Sequence, residues 1–233
     1  MAKKDQGTEN PLDFGLDNLD IKETISRSER FLEQYKNIIY GVVGGLVLVI
    51  GIAYYVNGVY LPNKQEEALN LMYVAERYFE NDSLQLAIDG DGNFPGFMEI
   101  ADDYSWTRAG KLANYYLGIS YLRLGQYEDA ISYLKKFSTK EPIIGSIALG
   151  SMGDAYLELG EEEKALDYYL KAASKNENNF TTPIYLMRAG ELAEHLGKNK
   201  KALELYERVF KEFKSTTEGQ AAEKYMARVN AKM

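Results

Sequence analysis

The chain has 233 residues, 45% hydrophobic and 27% charged, with a formal net charge of −8. That balance supports a buried core and excludes bulk disorder. The lack of cysteine excludes disulfides, thiolate metal centres and cysteine nucleophiles. A single histidine, His195, excludes a site built from several imidazoles. No cluster of Lys and Arg forms a phosphate-neutralising surface, so nucleic acid is not an expected partner.

Residues 1–20 are polar and acidic, with Leu12, Phe14, Leu16 and Leu19 scattered through them. From Asp20 onward, Ile21, Ile25, Phe31, Leu32 and Tyr35 fall at spacings that predict one stripe of an amphipathic helix. Asp20 with Glu23 resembles a capping box at its start. Residues 1–36 therefore read as a tail. It either lies on a membrane or a partner, or serves as a positively charged retention flank.

Ile38–Tyr60 carries no charge, and its length suits a bilayer crossing. Tyr40 at one end and Tyr54, Tyr55 and Tyr60 at the other suit the two interfaces. The preceding segment is too long for the charged head of a signal peptide, and no small-x-small cleavage site follows. The expectation is an uncleaved transmembrane helix over 37–61. Lys22, Arg27, Arg30 and Lys36 precede it and only Lys64 follows closely. The positive-inside rule then places the N-terminus in the cytoplasm and residues 62–233 across the membrane. Gly41 and Gly45, four apart, offer a face on which another helix can pack closely.

Residues 62–108 predict a degenerate first helical pair. One helix runs to about Phe79, with Ala68, Leu71, Met72, Ala75 and Tyr78 inward. A polar break follows, then a short helix to about Tyr104. Asp89-Gly-Asp-Gly-Asn93 resembles the start of a calcium loop, but Phe94 and Ile100 stand where an EF-hand needs Gly and Glu, so it reads as a turn. The sequons at Asn81 and Asn179 are too short a pattern to carry weight.

Beyond residue 108 the chain repeats itself. Gly118, Tyr121, Gly125, Ala130 and Leu134 recur as Gly153, Tyr156, Gly160, Ala165 and Tyr169, and again as Gly190, Ala193, Gly197, Ala202 and Tyr206. Each unit reads as two helices, A and B, joined at the second glycine. The first glycine admits a neighbouring helix, the alanine sits at the A–B crossing, and the tyrosines and Leu134 are expected to fill the space between units. No unit covers its own apolar face, so the copies must stack. This predicts three repeats over 109–216. A capping helix over 217–233 opens at Ser215-Thr-Thr-Glu218 and packs through Ala222, Tyr225, Met226 and Val229.

Leu117-Gly118, Tyr121, Ala130 and Pro142 resemble the tetratricopeptide (TPR) repeat. The second copy has Glu177 at the proline position, and the third has Ala193 at the tyrosine position. The resemblance implies an all-α protein, with one N-terminal transmembrane helix followed by a TPR α-solenoid whose concave face binds proteins or peptides. By repeat position, helix A of the three copies turns three sets of residues to that face. They are Leu112, Tyr115, Ile119 and Arg123; then Gly150, Asp154, Leu157 and Glu158; then Met187, Glu191, Glu194 and His195. Tyr115, Ile119, Arg123, Asp154, Glu158, Met187 and Glu191 are the candidate protein-binding residues. Tyr115 and Ile119 stand where chaperone-clamping TPR domains carry Lys and Asn, which disfavours a carboxylate clamp. The mixture suits extended polypeptide better.

No catalytic constellation, cofactor motif, metal-ligand set or small-molecule site is legible, so the chain reads as a non-enzyme. The order of tail, span and TPR domain resembles the ancillary TPR subunit of the bacterial Sec translocon. That resemblance implies an inner-membrane protein with a periplasmic TPR domain. Its partners would be Sec channel subunits, a periplasmic chaperone and translocating polypeptides. The alternative is a structural scaffold of another envelope assembly, in cell division, cell-wall synthesis or secretion.

Overall fold

The computed structural model describes residues 21–233. The scattered apolar residues of the tail and the Asp20 cap lie outside the described residues, as do the side chains of Ile21, Ile25 and Phe31. Two compact units divide at Val59/Tyr60. In the first, α1 spans Ile21–Tyr55 and ends in a π-helical turn, Val56–Tyr60. Within that turn Asn57 Nδ2 donates to the Ala53 carbonyl at 2.8 Å. α1 is long and apolar enough to cross a membrane. Among its described side chains nearly all are exposed, Val42, Leu46, Val49 and Ile52 included. In water such an apolar surface would be strongly unfavourable.

The second unit begins with α2 (Leu61–Glu80), α3 (Leu84–Asp89) and α4 (Phe97–Asp103). The inward stripe of α2 is Ala68, Met72 and Ala75, flanked by half-buried Leu71, Tyr78 and Phe79. The expected polar break is in part a helix. Leu84, Ala87 and Ile88 of α3 share one face and are buried, so three apolar residues at helical spacing outweigh their polar neighbours. Asp89 closes α3, and the chain turns over Gly90–Asn93. Asp91 Oδ1 accepts from the backbone N–H groups of Asn93 (2.9 Å) and Phe94 (2.8 Å), and its Oδ2 accepts from the Tyr78 hydroxyl at 2.8 Å. The Phe94 and Asn93 amides, then Tyr78, hold the Asp91 carboxyl below the ordinary carboxylate range.

Three helix pairs follow: α5 (Arg108–Arg123) with α6 (Tyr127–Lys136), α7 (Pro142–Glu158) with α8 (Glu162–Ser174), and α9 (Thr181–His195) with α10 (Asn199–Glu212). α11 (Thr217–Asn230) comes last. α2 reaches across to start α5: Gln65 Oε1 accepts from the Arg108 and Ala109 amides, two of the donors a helix start leaves unpaired. Inside each pair the A helix ends in the same way. Gly125, Gly160 and Gly197 sit at φ +75°, +74° and +71°. The amide after each glycine bonds back to the carbonyl of Tyr121, Tyr156 or Ala193, and the glycine amide itself to Leu122, Leu157 or Glu194. This double bond pattern is a Schellman close, and the left-handed φ it requires favours glycine.

Gly118, Gly153 and Gly190 have a different task. A Cβ there would lie 2.5 Å from Leu134 Cγ, 2.7 Å from the Tyr169 ring and 2.4 Å from the Tyr206 ring. Each glycine receives the large residue of its own B helix, so these side chains fill the space within a unit rather than between units. The alanine that faces them, Ala130, Ala165 or Ala202, is fully buried. A second tyrosine pair also recurs in step. Tyr121 stacks on Tyr133 at 5.3 Å and Tyr156 on Tyr168 at 5.1 Å.

The α8–α9 connection explains the absent proline of the second repeat. α7 starts on Pro142 with its preset φ. At α9 Asn178 takes that role: its Oδ1 accepts from the Phe180 and Thr181 amides, both at 2.8 Å. α11 is capped by Thr216, whose hydroxyl accepts from the Gly219 amide at 3.0 Å, rather than by a box starting at Ser215. Thr107 and Gly110 repeat the device at α5. α11 is held by Glu194, whose side chain is 5% exposed. Its carboxylate accepts from Arg228 Nη2 (2.6 Å) and Nε (2.9 Å), Lys232 Nζ (2.7 Å) and the Tyr206 hydroxyl (3.3 Å).

Two predictions follow from this packing. Ala130→Leu and Ala165→Leu should each lower stability by about 1–3 kcal/mol, because added methylenes in a closed helix crossing force strain. By sequence position Ala173 reads as a milder site, but it is 1% exposed and belongs to the Ala165 cluster. Ala173→Leu should therefore cost as much, whereas Ala227→Leu, on an exposed position of α11, should be neutral. Thermal unfolding of the four variants checks the ranking. The second prediction concerns acid. Arg228, then Lys232, hold the Glu194 carboxyl below its ordinary value despite its burial. The stabilisation it contributes is present above the unfolded-state value, about 4.3, and is lost as pH falls through the lower folded value. Glu194→Gln should cost roughly 1–3 kcal/mol at neutral pH and flatten the acid limb of the stability profile. Urea midpoints measured between pH 3 and 7 provide the readout.

Candidate functional site

α7 is built of small residues: Gly145, Ser146, Ala148, Gly150, Ser151, Gly153 and Ala155 are all buried. A helix with no consistently polar side is one packed by neighbours on most of its surface. At Gly150 the backbone is so close to α9 that an added Cβ would stand 2.0 Å from the Tyr185 ring. The two A helices therefore approach closely at Gly150. Towards their C-terminal ends lies a cleft of about 490 Å3, bounded by Asp154 and Leu157 of α7, Glu162 and Tyr169 of α8, and Arg188, Glu191, Leu192 and His195 of α9.

The polar groups of the cleft are partly paired. Asp154 Oδ1 accepts both from Arg188 Nη1, at 2.6 Å, and from the Tyr169 hydroxyl, at 2.7 Å. Burial, and then the bond to Asp154, push the Tyr169 hydroxyl well above its ordinary value. Burial alone opposes the charge on Arg188, but Asp154 outweighs it and the guanidinium is held above its usual range. Tyr185, beneath Arg188, is raised to about 12 by burial. His195 Nε2 stands 3.3 Å from Glu162 Oε1. Glu191 bonds the Tyr225 hydroxyl, and that bond raises the pKa of Tyr225. Nothing here aligns a nucleophile with a base. The arrangement suits binding through charge, hydrogen bonds and apolar contact.

The structure gathers some of the expected groove residues and disperses others. Asp154 and Glu191 line the cleft together, with Leu157 and His195. Glu158 lies beside it, exposed, and accepts from the Tyr127 hydroxyl at 3.4 Å. Tyr115 and Ile119 do not face an open groove. They are half-buried with Leu134, Ala148, Met152 and Phe137, the Phe137 ring lying 5.3 Å from Tyr115. α6 and α7 close over that position. Arg123 is drawn towards the first helical pair, with Nη2 2.7 Å from Asp82 Oδ1 and its guanidinium 5.3 Å from the centre of the Phe79 ring. Met187 is 7% exposed and belongs to the large core cluster that runs from the second repeat to α11, so it is buried rather than presented on a face. Gly150 is filled by Tyr185, Leu112 packs half-buried against the first core, and Glu194 is taken by α11. On α1, Gly41 and Gly45 are exposed, and a Cβ at either would meet nothing within 4 Å.

Glu162, Tyr169, Arg188 and Leu192 are the cleft residues that repeat position does not assign to the concave face. A signal for Arg188 is present nonetheless. Tyr185-x-x-Arg188 recurs as Tyr225-x-x-Arg228. Each arginine lies over its tyrosine, at 5.8 and 4.6 Å, and each pairs with an acid on the preceding A helix, Asp154 or Glu194. Tyr169 and Tyr206, equivalent residues of successive B helices, donate to the same two acids. Each carboxylate is thus held between its own B helix and the next A helix.

The Tetratricopeptide repeat family matches the sequence twice, over residues 115–180 and 151–214. No curated protein matches the chain. Among solved structures, the nearly identical TPR-like repeats of a Podosopora anserina protein described as a kinesin light chain superpose with a TM-score of 0.54. That match has 14% identity and covers 72% of this chain and 86% of that one. MamA superposes with a TM-score of 0.50 at 20% identity, covering 72% of this chain and 92% of that one. At these identities the likeness is one of fold. Residues 115–214 of this chain match the tetratricopeptide repeat family and fold as a solenoid of helix pairs, which supports a protein-interaction module.

Proposed function

We propose that the chain is a membrane-anchored, non-enzymatic accessory subunit of the bacterial Sec translocon. α1 crosses the inner membrane with the N-terminus in the cytoplasm, and the TPR domain stands in the periplasm. There its concave face meets a periplasmic chaperone or polypeptide emerging from the channel. The observation that carries this reading is the order along the chain: a short tail with Lys22, Arg27, Arg30 and Lys36, then an uncharged helix, then TPR repeats. Asp154, Glu158 and Glu191 are the residues of the working face. Tyr115, Ile119 and Met187 are structural. Gly41 and Gly45 form a face on which a channel helix can pack. A scaffold in another envelope assembly would share the topology and differ in what co-purifies.

Affinity purification from mild detergent separates these two assignments. Recovery of Sec channel subunits is expected, and recovery of only an unrelated envelope machine rejects the translocon role. A periplasm-dependent reporter fused after Met233 should be active, and cytoplasmic activity would reverse the topology. Photo-crosslinkers at Glu158 and Glu191 should capture protein. One at Lys171, on α8 and paired with Asp167, should capture little, and equal capture at all three would remove the cleft as the working surface.

A further inference from the structure

The cleft between α7, α8 and α9 has a charge imbalance that its own residues do not cancel. Three carboxylates, Asp154, Glu162 and Glu191, face one guanidinium, Arg188. Both partners of Asp154 bond the same oxygen, Oδ1, and among the described residues no donor bonds Oδ2. Glu162 meets His195 through Oε1, and among the described residues no donor bonds its Oε2. Leu157, which is exposed, and the largely buried Leu192 and Tyr169 line the same cleft and give it apolar surface beside the carboxylates. The volume, about 490 Å3, falls within the usual range for ligand clefts, roughly 300–1,000 Å3.

The chain also displays what this surface accepts. On the A helix of the second repeat the acid is met by Arg188, and on that of the third by Arg228 and Lys232. In both places a long cationic side chain approaches from the neighbouring element, its guanidinium over a tyrosine and its charge on a carboxylate.

We propose that the cleft takes a lysine or arginine side chain of an extended polypeptide. Its methylenes lie on Leu157 and Leu192, and its cationic head reaches Asp154 Oδ2, Glu162 and Glu191. This deepens the reading of the TPR face as protein-binding and rests on it. Segments rich in Asp and Glu are turned away by the same rim, so the face selects partners by charge as well as by shape.

The test uses the full-length protein in detergent and fluorescein-labelled ten-residue peptides of alanine and serine. These carry two lysines, two norleucines or two glutamates at the same positions, and binding is followed by anisotropy at low and moderate salt. The lysine peptide should bind most tightly and weaken with salt. Glu191→Gln and Glu162→Gln should each weaken it by about two- to fivefold, the range of a partly exposed ion pair, and leave the norleucine peptide unchanged. Both carboxylates are solvent-reachable, so both variants should fold, and unchanged thermal unfolding confirms it. Equal affinity for lysine and norleucine peptides, or an unchanged lysine affinity in Glu191→Gln, overturns the cationic specificity. If peptides bind without regard to charge and compete with capture at Glu191, the specificity falls and the protein-binding face stands. If no peptide binds and the Glu191 crosslinker captures nothing, the face itself falls.

Discussion

The repeats depend on how closely each A helix approaches its own B helix. At Gly118, Gly153 and Gly190 the backbone of the A helix is itself the wall against which Leu134, Tyr169 and Tyr206 lie. A side chain there would displace the large residue opposite and with it the alanine crossing behind. The Schellman turn a few residues later then leads the chain into the B helix with the same geometry each time. Because the pair is fixed internally, variation between repeats is left to the seams. There α7 and α9 begin differently, one on a proline and the other on Asn178.

Charge plays two parts in this stack. Between repeats it fastens. Asp154 and Glu194 each receive a tyrosine hydroxyl from within the repeat and a cation from beyond it, and Glu194 does so with its side chain almost wholly buried. A buried carboxylate without those partners would be costly, so the Arg228 that α11 brings to Glu194 is a condition of its burial. On the rim of the cleft, Glu162 and Glu191 are more open to water, and their charge remains available to something outside the chain.

The fold was legible because its signals are periodic and local. Glycine at a left-handed turn, alanine at a crossing and an uncharged run of helical residues each have one dominant structural meaning, and the TPR resemblance follows from them. The short α3 was missed because six residues with one apolar face do not stand out from a polar segment. The groove was less legible. Position within a repeat says which way a residue points, but not whether the next helix closes over it. That is why Tyr115 and Ile119, expected on a surface, are half-buried and Met187 is buried, while Asp154 and Glu191 line the cleft. Arg188 escaped notice because its importance lies in a partner 34 residues earlier. Only the recurrence of Tyr-x-x-Arg hints at such a pairing.

The direction in which the acids are satisfied has a consequence for biosynthesis. Asp154 waits for a cation in α9, and Glu194 for cations in and just after α11. A polypeptide made from its N-terminus therefore exposes each carboxylate before the residue that neutralises it exists. The growing stack stays open at its leading end until the final turn of α11 is released. The residues that lock the third repeat are thus made after it, and a ribosome halted shortly before Arg228 and Lys232 would leave a third repeat whose Glu194 still lacks its cations.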